Sequence, residues 1–189
     1  MEMFRSFGRN WFEYGKEGQT FVIGNRSLNG NETNYMYRNL GNGRFENVAW
    51  ALGTASRRDG RGTAIADFDR DGDLDIFLTN NNHVAQYFEN RSAQGHWTIV
   101  QLRGKRSNSH GLGARIVLRA GGRTQVRELR AGVGYLSSPP PEAHLGLGAA
   151  ERIERLEVRW PSGAVQVLED LPVDRVLRIE EEGPHRVLE

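Results

Sequence analysis

The stretch Asp67-Phe68-Asp69-Arg70-Asp71-Gly72-Asp73-Leu74-Asp75 limits what this chain can become more than any other. Five carboxylates stand at alternate positions, close enough to repel one another strongly unless a cation sits among them. Calcium suits such a set, because it takes roughly six to eight oxygen ligands in a flexible shell. Magnesium keeps more of its water and needs fewer carboxylates. A loop wrapped around one Ca2+ offers side chains at its first, third, fifth and ninth positions, here Asp67, Asp69, Asp71 and Asp75. The seventh, Asp73, offers its main-chain carbonyl, and Gly72 permits the sharp turn. The competing reading is an acidic surface turn that holds no ion.

The flanks set the context. Ala64-Ile65-Ala66 and Ile76-Phe77-Leu78 read as short strands, whereas a helix-loop-helix calcium site needs a bidentate Glu where Leu78 stands. A β-hairpin loop is therefore expected. Upstream, Tyr37-Arg38-Asn39-Leu40-Gly41-Asn42-Gly43-Arg44-Phe45 reads as strand, Asn/Gly turn and second strand. Ala85–Trp97 echoes it, and Phe21–Asn25 matches Ile76–Asn80. Asn39 and Asn90 lie 51 positions apart, a period typical of propeller blades.

From about residue 97 the pattern changes to short strands expected at Trp97–Leu102, Ala114–Arg119, Thr124–Leu129, His144–Leu147, Leu156–Trp160, Val165–Leu168 and Val176–Ile179. Turn signals at Gly121-Gly122, Pro139-Pro140-Pro141 and Pro161-Ser162-Gly163 separate them. The best helix candidate is Ala149–Leu156, with a single turn leading into a strand as its alternative, and the expected core includes Val117, Val126, Leu145, Leu147, Val158 and Trp160. The fold class is all-β in two parts: a repeat region over residues 1–96, and a β-sandwich-like domain over 97–189.

Composition narrows the function. With 25 Lys plus Arg against 24 Asp plus Glu, interleaved, no polybasic face is forced, and nucleic-acid binding is not expected. No run is long enough for a membrane span, and no signal peptide is legible at the N-terminus. The absence of Cys removes thiolate metal sites, disulfides and thiol nucleophiles. His83, His96, His110, His144 and His185 form no metal-ligand pair, and His144 reads as a packed or hydrogen-bonded strand residue. Neither a nucleophile elbow nor a Walker A loop occurs, and carboxylates committed to calcium are poor proton donors, so no enzyme is expected.

The Asp-x-Asp-x-Asp-Gly-x-x-Asp loop and the Tyr37–Phe45 pattern resemble the FG-GAP/VCBS repeat family. Four ordered motifs are similar to the ASPIC/UnbV domain of the cartilage acidic protein-like family: Ser107-Asn108 through Gly111–Arg115, Gly132–Ser137, His144–Gly148 and Val158–Gly163. The resemblance implies about one and a half to two β-propeller-type units followed by that domain, and an extracellular or periplasmic setting. Two features depart from the pattern. Glu13–Gln19 has lost the aspartates of a first metal loop, so one site is expected, and Tyr135-Leu136-Ser137-Ser138 runs into three prolines.

The reading is a calcium-binding interaction or assembly module, docking onto a larger complex or self-associating. The alternative is a calcium-dependent glycan-binding module, with Trp11, Tyr35 or Tyr87 stacking on sugar rings. Asn25-Arg26-Ser27, Asn31-Glu32-Thr33 and Asn90-Arg91-Ser92 fit the glycosylation sequon.

Overall fold

The computed structural model describes residues 31–81, 83–92 and 95–188. The strand expected at Phe21–Asn25, the altered stretch Glu13–Gln19, Trp11 and the Asn25 sequon lie outside the described residues. Among the described residues every regular element is a strand, and no sheet closes into a barrel. The chain divides into two compact units: one runs to Arg61 and includes Leu78–Gln86, and the other joins Gly62–Phe77 to the chain from Tyr87 onward.

In the first unit, β1 (Tyr37–Gly41) and β2 (Arg44–Asn47) form an antiparallel hairpin. The chain reverses through Gly41, Asn42 and Gly43, all at positive φ, which glycine and asparagine tolerate best. Asn39 Oδ1 accepts the Gly41 N–H at 2.8 Å and fixes the bend. The expected strand-turn-strand is present here. β3 (Gly60–Ala66), β4 (Asp75–Asn80) and β5 (His83–Phe88), whose residues are divided between the two units, form a three-stranded sheet in that order.

The second unit is built around two four-stranded sheets. One has the order β11-β10-β7-β8, from Val165–Pro172, Arg152–Arg159, Arg115–Ala120 and Arg123–Glu128. The other has the order β13-β12-β6-β9, from His185–Leu188, Arg175–Glu180, His96–Arg103 and Glu142–Gly148. Its β6 and β12 pair in parallel, and its other pairs are antiparallel. A single apolar core takes Ile116, Leu118, Leu156 and Val158 from the first sheet and Val100, Leu145, Leu177 and Ile179 from the second. That is a sandwich, as expected: side chains from one face of β6, β7, β9, β10 and β12 meet across it.

Four details differ from the sequence reading. Ile116 and Leu118, rather than Val117, face the core, and Val126 is 41% exposed on β8. β7 carries apolar residues on both faces, so alternation alone does not tell inside from outside there, and the lone apolar residue of β8, Val126, sits on an edge strand. Ala149–Leu156 forms no helix and follows its alternative reading, a turn leading into β10, whose residues pair on both sides with β7 and β11. In the Ala85–Trp97 echo, the second strand does not fold back on β5. β6 is taken into the sandwich, where β9 and β12 bond both of its edges. Finally, β13 went unanticipated because its polar, four-residue sequence carries little pattern.

Candidate metal centre

The Asp-rich loop joins β3 to β4, the hairpin setting that its flanks imply. Arg70 (φ 67) and Gly72 (φ 102) turn the chain. Three bonds from main-chain N–H groups to side chains hold the coil: Gly72 to Asp67 Oδ2 (3.1 Å), Asp71 to Asp69 Oδ1 (3.3 Å) and Asp73 to Asp71 Oδ1 (3.0 Å). Asp67, Asp69 and Asp71 each bring one carboxylate oxygen within 4.8 Å of the others. Asp67 is 3% exposed, and its Oδ1 has no hydrogen-bond partner. A buried carboxylate oxygen without a donor is costly. A cation held among the three oxygens would satisfy it.

Asp73 and Asp75 lie outside this trio. Asp75 is 1% exposed and saturated from within: Oδ2 accepts from the Tyr87 hydroxyl (2.7 Å) and the Phe68 N–H (3.3 Å), and Oδ1 from the Asn90 N–H (2.8 Å). Burial raises its pKa, but these bonds outweigh that and leave it below the usual carboxylate range. The same bond to Asp75 pushes the Tyr87 phenol up to about 12. Burial also raises Asp67, against bonds from Arg70 and Gly72. Burial and then the charges of Asp71, Asp75, Asp69 and Asp67 lift Asp73 to about 6. Both carboxyls are raised first by burial, and at Asp73 the neighbouring like charges add to it, a burden that a divalent cation relieves. The donor set, all hard oxygens, fits calcium.

The loop is fastened to the sandwich. A Cβ built on Gly72 would lie 1.9 Å from Trp97 Nε1, so the glycine is in direct contact with the indole. His144 donates its Nε2–H to the Gly72 carbonyl at 2.8 Å and stacks on Trp97. Arg70 reaches Glu142 Oε1 at 3.2 Å, and Gln101 donates to the other oxygen of the same carboxylate at 2.8 Å. Trp97, Gln101, Glu142 and His144 all project from the face of the β6–β9 pair that turns away from the core. The expectation of a hydrogen-bonded His144 agrees with this position. Its partner, a main-chain carbonyl far away in sequence, had no signal that could have found it.

Of the aromatics considered for sugar stacking, Tyr87 has its hydroxyl on Asp75 and its ring edge-on to Phe68 at 5.9 Å. Tyr35 is 66% exposed and stacks on Tyr37. Asn90 spends its side-chain oxygen on the Ser92 N–H and hydroxyl.

Comparison with known proteins places these observations. Residues 20–78 match the FG-GAP-like repeat, a span that contains the whole metal loop. Residues 104–186 match the family described as ASPIC and UnbV. The chain is 38% identical over 122 residues to cartilage acidic protein 1 of Xenopus tropicalis, a match covering 60% of this chain and 18% of that protein. It is 36% identical over 120 residues to the proteins of that name from Mus musculus and Homo sapiens, over 59% of this chain and 18% of each. The match thus spans about a fifth of the length of these relatives. The chain carries an FG-GAP-like repeat followed by an ASPIC and UnbV domain, in the order its separated motifs imply.

Proposed function

We propose that the chain is a non-enzymatic, calcium-binding interaction and assembly module, acting outside the cytoplasm in an extracellular or periplasmic complex. One ion is held by the side chains of Asp67, Asp69 and Asp71 and by the main-chain carbonyl of Asp73, and the Asp75 side chain joins that shell by exchanging one of its bonds from Tyr87, Phe68 or Asn90 for the ion. The observation that carries this reading is the buried, partnerless Asp67 Oδ1 beside two further carboxylate oxygens. Because Gly72 lies on Trp97 and bonds His144, an ion that orders the loop also orders its seat on the sandwich. Calcium is structural in this reading, and the boundary near residue 96 separates the repeat region from the domain on which its loop rests.

The docking surface belongs to the repeat region. Tyr35, Tyr37, Phe45, Trp50 and Leu52 are all more than half exposed. Tyr35 and Tyr37 stack on one another, and exposed apolar side chains of this size suit a protein contact. Isothermal titration of the chelator-stripped chain with calcium tests the reading, and is expected to give one site that Asp69→Ala abolishes. The absence of binding heat sinks it.

A further inference from the structure

Beside the metal loop, on the outer face of the β6–β9 pair, lies a cleft of about 330 Å3. It shares Gly95, His96, Trp97 and Gly148 with an adjoining hollow of about 610 Å3. Clefts of roughly 300–1,000 Å3 hold small ligands. Trp97 stands opposite Gly146 across the strand pair, and a Cβ added at Gly146 would meet nothing within 4 Å. The missing side chain leaves an open floor next to the indole. That indole is fixed by His144, whose ring lies 6.3 Å away at an 8° interplanar angle, and by Gly72. A rigid aromatic needs little ordering when a ligand arrives.

The polar groups are equally fixed. His96 donates Nδ1–H to Asp174 Oδ2 at 2.7 Å, which leaves Nε2 as the ring nitrogen that faces a ligand. Asp174 is held at φ 55, and its Oδ1 accepts the Trp97 N–H at 3.1 Å. Asp71 lines the larger hollow and Asp73 the smaller. Among the described residues, no arginine or lysine lines either.

We propose that this cleft binds a neutral or amino saccharide, with a pyranose ring on Trp97 and its hydroxyls donating to His96 Nε2 and the acidic wall. A hydroxylated ring brings donors to a wall rich in acceptors. Phosphates and uronic acids find no arginine or lysine in the lining to pair with, and meet the Asp174 carboxylate. A purely apolar ligand leaves those groups desolvated and unpaired. The site is separate from the docking surface proposed above and does not depend on assembly.

The test uses the full chain in calcium, with saturation-transfer NMR and calorimetry against galactose, N-acetylglucosamine, glucosamine, glucuronate and Nα-acetyl-lysine amide. Neutral or amino sugars are expected to receive saturation on their ring protons. Gly146→Val fills the floor from a Cβ that meets nothing within 4 Å, and should weaken that binding about ten-fold or more, with melting temperature and calcium heat unchanged. His96→Ala should weaken it as well. Four outcomes overturn the proposal: no sugar binds at millimolar concentration, glucuronate binds best, the lysine amide outcompetes every sugar, or Gly146→Val binds like the parent chain. None of these readouts bears on calcium binding or oligomeric state, so the two proposals fail separately.

Discussion

Glu181, just past the end of β12, is fully buried, and its carboxylate is ringed by donors. Oε2 accepts the N–H groups of Lys105, Arg106 and Ser107, each at 2.7 Å. Oε1 accepts the hydroxyls of Ser107 and Ser162. Burial raises its pKa, and the five bonds outweigh that to bring it down to about 2. A folded pKa below the unfolded value contributes stability present above about pH 4.5 and lost as pH falls toward about 2. Acid unfolding followed by near-ultraviolet circular dichroism should show that loss, and Glu181→Gln should flatten it while lowering the melting temperature at neutral pH. In the calcium-free chain Asp73 works in the opposite direction. Its pKa, raised to about 6, gives stability that is present below about 3.8 and lost as pH rises through 6. The melting shift on adding calcium should therefore be larger at pH 7.5 than at pH 5. A shift independent of pH would contradict this assignment.

At the scale of elements, the loop and the sandwich each depend on one tight contact. Gly72→Ala places a methyl group in the Trp97 indole at a φ of 102. Backbone strain of this kind costs about 1–3 kcal/mol, and the collision adds to it. Calcium affinity should fall with stability, and a variant that titrates like the parent would show that the loop is not seated on Trp97. Asp69→Ala or Asp71→Ala should remove the calcium-dependent part of the melting shift, about 3 kcal/mol at a hundred-fold excess over Kd. In the sandwich, Trp160 is 4% exposed and donates its indole N–H to Gln166. Trp160→Ala should cost about 3–5 kcal/mol in urea unfolding.

For the whole molecule, the question is what covers the exposed aromatics of the repeat region. Repeat units bury their faces against neighbours, and about three are needed for independent stability. Residues 20–78 supply one matched repeat. The chain is therefore expected to run on size-exclusion chromatography with light scattering either above its monomer mass or together with a second protein from its native source. A sharp monomer at high concentration, unchanged by EDTA and without a recovered partner, defeats the assembly reading. A fragment of residues 95–189 should still give a β-rich spectrum. It should melt below the full chain, because it lacks the loop that rests on Trp97, His144 and Glu142.

The sequence by itself determined whatever short-range chemistry could specify. Alternating aspartates around Gly72 set the loop, and asparagine and glycine set the reversal at Gly41–Gly43. Dense turn signals set an all-β fold, and four ordered motifs set the identity of the second domain. Only the tertiary structure decided which aspartates converge, because Asp75 is drawn away by Tyr87 and Asn90, whose positions depend on β5 and the chain beyond it. It also decided that β6 leaves the repeat pattern to pair with β9 and β12, since that choice rests on partners more than 40 residues away. Glu181 was invisible for the same reason. Nothing local marks a glutamate near the chain's end as buried, and its five donors come from two loops that meet only when the sheets pack.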